Sequence, residues 1–161
     1  MDHVDQILMQ WATERPDLDA SAMGVVGRVS ILSTAFRTEM EKTFARFGLN
    51  GAGFDVMATL RRSGAPYTLS PGQLLASTMV TSGTMTNRID KLVKAGWVRR
   101  IQNPADSRSF LISLTPEGFT LIDRAVEAHV ATQARLLSPL SEDERTRLVG
   151  LLSKLMPATK G

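Results

Sequence analysis

The sequence predicts a mainly α-helical protein with a small β-hairpin wing, a winged helix-turn-helix flanked by N- and C-terminal helices. Three observations favour this fold. Apolar residues recur every three or four positions through most of the chain, which is the spacing of amphipathic helices. Two runs, residues 97–103 and 108–114, are instead typical of strands and are separated by turn residues. The 161 residues, 43% of them apolar, suffice for a domain with its own core.

Three helices are predicted in the first part of the chain. Pro16 ends the first helix, which contains Trp11, because proline disfavours helical backbone in the residue before it. The second helix has Asp19 or Ser21 as its cap and continues for about seven turns. Asn50 caps the third. The predicted ranges are residues 4–15, 19–48 and 50–64.

A helix-turn-helix follows, after a possible short strand at residues 65–69. Ser70 and Gln73 form a capping box that begins a brief helix, and a turn at Met79 and Val80 leads into the second helix. Thr81 is expected to cap this second helix and Gly96 to end it.

The helix from Thr81 to Gly96 combines an apolar stripe (Met85, Ile89, Leu92 and Val93) with a polar face. Such a face suits the DNA major groove, since short side chains near the helix N-terminus let the backbone approach phosphates while amides and hydroxyls reach base edges. An ordinary solvated face is the alternative. The polar residues are Gly83, Asn87, Asp90, Lys91 and Lys94, flanked by Thr84 and Thr86.

Basic residues concentrate in and after this helix. Residues 81–108 contain six Lys and Arg against two Asp, whereas the whole chain has a net charge of only +3. This distribution indicates a polyanion-binding surface.

The C-terminal part is predicted to be helical again. Thr115 caps one helix, and Ser141 with Glu144 forms a capping box for another. We expect one domain, residues 1–161, in which residues 1–48 and 115–161 form dimerisation helices and residues 50–114 the DNA-binding lobe. A dimer would bury the apolar stripes of the terminal helices and place two recognition helices about 34 Å apart. A monomer that packs its own terminal helices is the alternative.

Composition and motifs argue against an enzyme. The chain has no Cys and only two His, His3 and His129, so neither a metal site nor a bound cofactor is expected. No phosphate-binding loop or hydrolase motif occurs. The absence of Cys, of a basic signal-peptide start and of a long apolar run predicts a cytoplasmic location.

Two long motifs, TSGTMTNRIDKLVKAGWVRR and NPADSRSFLISLTPEG, resemble the winged helix-turn-helix of the MarR family of bacterial transcriptional regulators. The terminal helices also fit that family, so the resemblance covers nearly the full chain. It implies a homodimer that binds a double-stranded, pseudopalindromic DNA operator, usually as a repressor relieved by a small molecule.

The predicted DNA contacts come from the recognition helix and from the wing. Arg108 would enter the minor groove, with Asp106 holding its guanidinium through a charge-assisted pair. Family wings often carry Arg before this position, whereas this chain has Ser107. The major groove and flanking phosphates would be contacted by Thr81, Ser82, Gly83, Thr84, Thr86, Asn87 and Lys91.

A narrower resemblance, to the urate-responsive branch of this family, rests on Trp11, Asp55, Arg88 and Arg100. It implies that these four residues form the effector site. The ligand would lie near Trp11, and Arg88 would pair with the negative charge of the ligand. Displacement of the pairing between Asp55 and Arg100 would then move the recognition helix. Arg88 lies about 40° from Leu92 on the helical wheel and therefore borders the buried stripe.

Alternatives remain for each of these residues. Arg88 is also placed to contact guanine in the groove, Trp11 to anchor its helix, and Asp55 to be an exposed acid near Arg62. Other anionic or aromatic effectors suit the same groups. A different kind of protein, a winged-helix protein-interaction module without sequence-specific DNA binding, would use the basic hairpin on an acidic partner, and the salt dependence of DNA binding would distinguish it.

Overall fold

The computed structural model describes residues 1–78 and 85–157, and these residues form seven α-helices and three short strands. The chain divides into two compact units, Met1–Lys42 and Thr43–Gly161. The described structure is therefore mainly helical with a small sheet, as the sequence predicted.

The first unit contains α1 (His3–Glu14) and most of α2 (Ser21–Ala45). Asp2 caps α1 and forms a capping box with Asp5. Asp19 accepts the backbone N–H of Ser21, the first residue of α2, at 2.9 Å. The predicted end of α2 was wrong by three residues, since a turn separates Ala45 from Gly48.

Four helices of the second unit begin at the predicted caps. Asn50, Ser70, Thr115 and Ser141 each accept a backbone N–H from the first turn of the helix that follows. Gly96, with a φ of +77°, follows the last turn of α5 in the left-handed region that glycine adopts readily. The helices are α3 (Gly51–Arg62), α4 (Pro71–Ser77), α5 (Met85–Lys94), α6 (Pro116–Leu136) and α7 (Glu142–Leu155).

The sheet has three antiparallel strands in the order β1-β3-β2. Its strands are β1 (Thr68–Leu69), β2 (Val98–Asn103) and β3 (Asp106–Leu114). The hairpin turn is tighter than predicted, because Asn103 pairs with Asp106 and leaves only two residues between the strands.

The core of the second unit lies where α3 meets the sheet and α6. Met57, Leu60, Ile112 and Ile122 are completely buried there. This core fixes the sheet, and with it the hairpin, against the helices.

A tight contact joins the beginning of α6 to the beginning of β2. The backbone N–H of Thr115 donates to the carbonyl of Trp97 at 3.1 Å, and the Thr115 hydroxyl donates to the carbonyl of Gly96 at 2.8 Å. Gly118 packs directly on Trp97, so closely that a Cβ on it would lie 1.9 Å from the Trp97 carbonyl oxygen. The LTPEG sequence therefore connects the wing to α6.

Candidate nucleic-acid interface

Helix α5 presents the predicted amphipathic faces. Met85, Ile89 and Leu92 are buried, which confirms the apolar stripe. The opposite face is exposed and combines hydrogen-bonding with charged side chains: Thr86, Asn87, Asp90, Lys91 and Lys94. Such a face can offer amide and hydroxyl groups to base edges and ammonium groups to phosphates.

Four of the predicted groove residues come immediately before α5. Thr81, Ser82, Gly83 and Thr84 lie outside the described residues, as does the predicted turn at Met79 and Val80. Their roles, including the cap expected at Thr81, remain predictions.

The wing tip is held by local side-chain contacts. Asp106 accepts the backbone N–H of Arg108 at 3.0 Å, and Asn103 accepts the N–H of Ala105 at 3.0 Å. The ion pair between Asp106 and the Arg108 guanidinium remains a prediction, and no such pair is present among residues 1–78 and 85–157. A short carboxylate reaches the backbone two residues ahead more readily than it reaches the end of a long side chain. Asp106 thus orders the wing backbone, while the Arg108 side chain is exposed.

Arg100 links the wing to α5. Its Nη2 donates to Oδ1 of Asp90 at 2.5 Å, and its guanidinium lies 5.2 Å from the centre of the Phe110 ring. The two charged side chains are 34% and 54% exposed, so solvent weakens the pair. Asp90 is a partner that the sequence analysis did not anticipate.

Arg88 borders the buried stripe, as the helical wheel predicted. Arg88 as a whole is half-buried, and its Nη1 atom is buried without a hydrogen-bond partner in the described structure. The side chain lines a cleft of about 510 Å³ in the second unit, together with Asn87, Lys91, Asn50 and Trp97. A buried guanidinium nitrogen without an acceptor favours a ligand that supplies one.

The other predicted effector residues occupy different places. Arg100 lines a second cavity, of about 230 Å³, beside Phe110. Asp55 is half-buried on α3, and Trp11 is on α1 in the first unit with 39% of its surface exposed. Within the second unit, Arg88 and Arg100 thus face separate cavities.

Two contacts of this region were missed from the sequence. Asn87 and Lys91 were assigned to DNA alone, yet both also line the Arg88 cleft. The pairing of Asp90 with Arg100 joins α5 to β2 across the turn at Gly96. A carboxylate and a guanidinium ten residues apart, with a glycine turn between them, were the available signal.

Among residues 1–78 and 85–157, none of the helices has the length and apolar character needed to cross a membrane. The same residues contain no group of three or more His, Cys, Asp or Glu side chains arranged to hold a metal ion.

Comparison with known proteins gives concordant matches. Residues 49–110 match the model of the MarR family. Over 152 residues the chain is 45% identical to the HTH-type transcriptional regulator PecS of Dickeya dadantii, and the match covers 94% of this chain and 92% of that protein.

Solved structures share the fold. AbsC, a MarR family transcriptional regulator from Streptomyces coelicolor, superposes with a TM-score of 0.76 at 20% identity, covering 86% of this chain and 93% of AbsC. A mutant of MarR from Escherichia coli, solved in complex with operator DNA, gives a TM-score of 0.72 at 24% identity and covers 91% of this chain and 98% of that one.

Proposed function

Because the chain belongs to the MarR family of DNA-binding transcriptional regulators, we propose that it is a homodimeric repressor that a small anionic or aromatic effector releases from its operator. The observation that carries this proposal is the double role of α5. One side of this helix exposes Asn87 and Lys91, while Arg88 lines a cleft and has a buried guanidinium nitrogen without a hydrogen-bond partner in the described structure.

DNA binding is proposed to use α5 in the major groove and Arg108 in the minor groove. Asn87 has the amide needed for a bidentate contact with adenine, whereas Lys91 supplies a charge that any phosphate satisfies. Replacing Asn87 by Ala should therefore relax sequence preference by about 1–3 kcal/mol. Replacing Lys91 by Ala should weaken binding to all duplexes and lower the slope of log affinity against log salt by about one.

These variants test the interface by titration of an operator duplex and a scrambled duplex at several salt concentrations. Arg124→Ala is the matched control, because Arg124 is an exposed cation on α6 and belongs to neither α5 nor the wing. Equal binding of both duplexes by the wild-type protein would favour the protein-interaction module over the repressor. Unchanged binding by both α5 variants would remove the groove assignment.

The effector is proposed to bind at Arg88, and an anion such as urate fits this position. An acceptor on the ligand would recover part of the cost of the unpaired buried donor, which is about 1–3 kcal/mol. Trp11, Asp55 and Arg100 are proposed as further effector-site residues on the strength of the family resemblance. Arg100 would then act through Asp90, its partner on α5.

Titration of tryptophan fluorescence with urate, followed by operator release, tests the effector. Arg88→Ala should abolish both responses, and Trp11→Phe should weaken them, while Arg124→Ala should leave them unchanged. If Arg88→Ala instead retains the urate response but loses sequence preference, Arg88 contacts the groove.

The homodimer is proposed from apolar surface on the terminal helices. Every residue of α7 keeps appreciable exposure, and five large apolar side chains are open on it: Leu148, Val149, Leu151, Leu152 and Leu155. Helix α2 exposes a further set in the first unit: Met23, Val25, Val26, Val29, Ile31 and Leu32. Clusters of exposed apolar side chains on one helix are typical of protein interfaces. Light scattering at micromolar concentration should give the mass of a dimer, and Leu152→Glu should shift it toward the monomer.

A further inference from the structure

A single arginine ties the beginning of α1 to α2 within the first unit. Nε of Arg28 donates to Oδ2 of Asp2 at 2.8 Å, and Nη2 donates to Oδ1 of Asp5 at 2.5 Å. The remaining nitrogen, Nη1, donates to the carbonyl of Gly24 on its own helix at 3.1 Å. All three guanidinium nitrogens are therefore engaged, and two of them hold α1.

The carboxylates that accept from Arg28 also build the start of α1. Oδ1 of Asp2 accepts the backbone N–H groups of Val4 and Asp5, while Oδ2 of Asp5 accepts the N–H of Asp2. These backbone contacts, assisted by Arg28, lower the pKa of Asp2 and of Asp5. Arg28 thus fixes the capping box itself, and displacement of its side chain would affect both the cap and the contact with α2.

Two glycines of α2 form the surface on which α1 packs. A Cβ on Gly24 would lie 3.3 Å from Cδ1 of Leu8, and a Cβ on Gly27 would lie 3.5 Å from Cγ1 of Val4. Residue numbers fall along α2 as they rise along α1, so the two helices are antiparallel. Without side chains at these two positions, α1 approaches the α2 backbone closely.

Helix α1 buries few side chains of its own within the first unit. Val4 is its one buried residue, and an isolated helix of 12 residues is marginal in water. The contacts at Arg28, Gly24 and Gly27 therefore contribute to the attachment of α1, and with it to the placement of Trp11 on the last turns of that helix.

We propose that Arg28, together with Gly24 and Gly27, is a positioning site for effector recognition, because it fixes α1 and so the direction in which Trp11 points. The proposal rests on the proposed function, in which Trp11 contributes to the effector site. Arg28 touches neither effector nor DNA in this scheme and acts through the position of α1.

The test compares Arg28→Ala and Arg28→Lys with the control Arg37→Ala, which removes an exposed arginine from the same helix. Hydrogen exchange of the protein reports the opening of α1, and operator release by urate reports the effector response. Arg28→Ala should speed exchange of α1 amides and raise the urate concentration for half-release by about three- to tenfold, as expected for two partly exposed charge-assisted contacts. The lysine variant should lie between, and operator affinity without urate should stay within about twofold of wild type.

Gly24→Leu is a second variant, because its side chain would push against Leu8 and the Arg28 guanidinium without removing any charge. It should produce the same two effects as Arg28→Ala. Unchanged α1 exchange in both variants would overturn the proposal. The positioning role would also be overturned if Trp11→Phe raises the urate concentration for half-release, whereas Arg28→Ala and Gly24→Leu speed α1 exchange and leave that concentration unchanged.

Failure of the proposed effector gives a different result. In that case urate does not release wild-type protein from the operator, whereas exchange of α1 still separates Arg28→Ala from Arg37→Ala if the attachment is as described.

Discussion

Gly118→Ala is the substitution for which the structure gives the clearest steric consequence. The new Cβ would lie 1.9 Å from the carbonyl oxygen of Trp97 and 2.7 Å from its carbonyl carbon. Both obstructing atoms are backbone, so no side-chain rotation relieves the overlap. The start of α6 would have to move away from β2 by at least about 1 Å to reach the tightest contact that real Cβ atoms show.

Opposing effects set the magnitude of this change. Alanine is preferred to glycine inside a helix by about 1 kcal/mol. Forcing a methyl group into a filled site costs about 1–3 kcal/mol. The displacement also disrupts the Thr115 N–H bond to the Trp97 carbonyl, worth about 1 kcal/mol, and the Thr115 cap of α6, worth about 1 kcal/mol. The destabilisation therefore exceeds the gain from the higher helix propensity of alanine, and we expect the free energy of unfolding to fall by about 2–4 kcal/mol.

Urea unfolding followed by circular dichroism measures this loss. All proteins must be compared at one protomer concentration, because the stability of a dimer depends on it. Gly72→Ala is the matched control: this glycine also follows a cap and a proline in the first turn of a helix, but the nearest atom to its Cβ is Oγ of Ser70 at 3.9 Å. The control should stay within about 1 kcal/mol of wild type. Equal stability of the two variants would refute the steric argument.

Three further perturbations test local contacts by the same unfolding measurement. Burial beside Phe44 and Phe54 lowers the pKa of His129, so His129 of the unfolded chain takes up a proton at a higher pH than His129 of the folded chain. The free energy of unfolding should therefore fall as the pH drops below about 6.5. His129→Phe should flatten that pH dependence. Asp90→Asn breaks the partly exposed pair with Arg100 and should cost less than about 1 kcal/mol. Asn50→Ala removes the cap of α3 and should cost about 1 kcal/mol.

Helix beginnings were predictable from the sequence because capping is local chemistry. In the capping boxes at Ser70 and Ser141, donor and acceptor are separated by only three residues, so the sequence contains the whole interaction. The same holds for Asn50 and Thr115, whose side chains accept an N–H three residues ahead. Helix ends were harder, as the turn between Ala45 and Gly48 illustrates, because fraying and tightening of the last turn depend on packing.

Side-chain partners across elements were not predictable in the same way. The pairing of Arg100 with Asp90 depends on the angle at which β2 leaves the turn after α5, which no residue pattern specifies. Asp106 illustrates a related point: attraction of opposite charges favours the Arg108 guanidinium, whereas turn geometry lets the Arg108 backbone N–H donate to the Asp106 carboxylate. Charge pattern thus identifies candidate partners, and backbone geometry selects among them.

The layout of α5 also bears on how an effector would act on DNA. A ligand shifts an equilibrium only through a difference in its affinity for the two states. Asn87 and Lys91 line the Arg88 cleft and are also exposed on the face proposed for DNA, so an anion in the cleft would meet groups that the operator needs. The proposed coupling therefore needs no long path through the protein. Because such coupling is reciprocal, operator DNA would weaken effector binding by the same factor by which effector weakens operator binding.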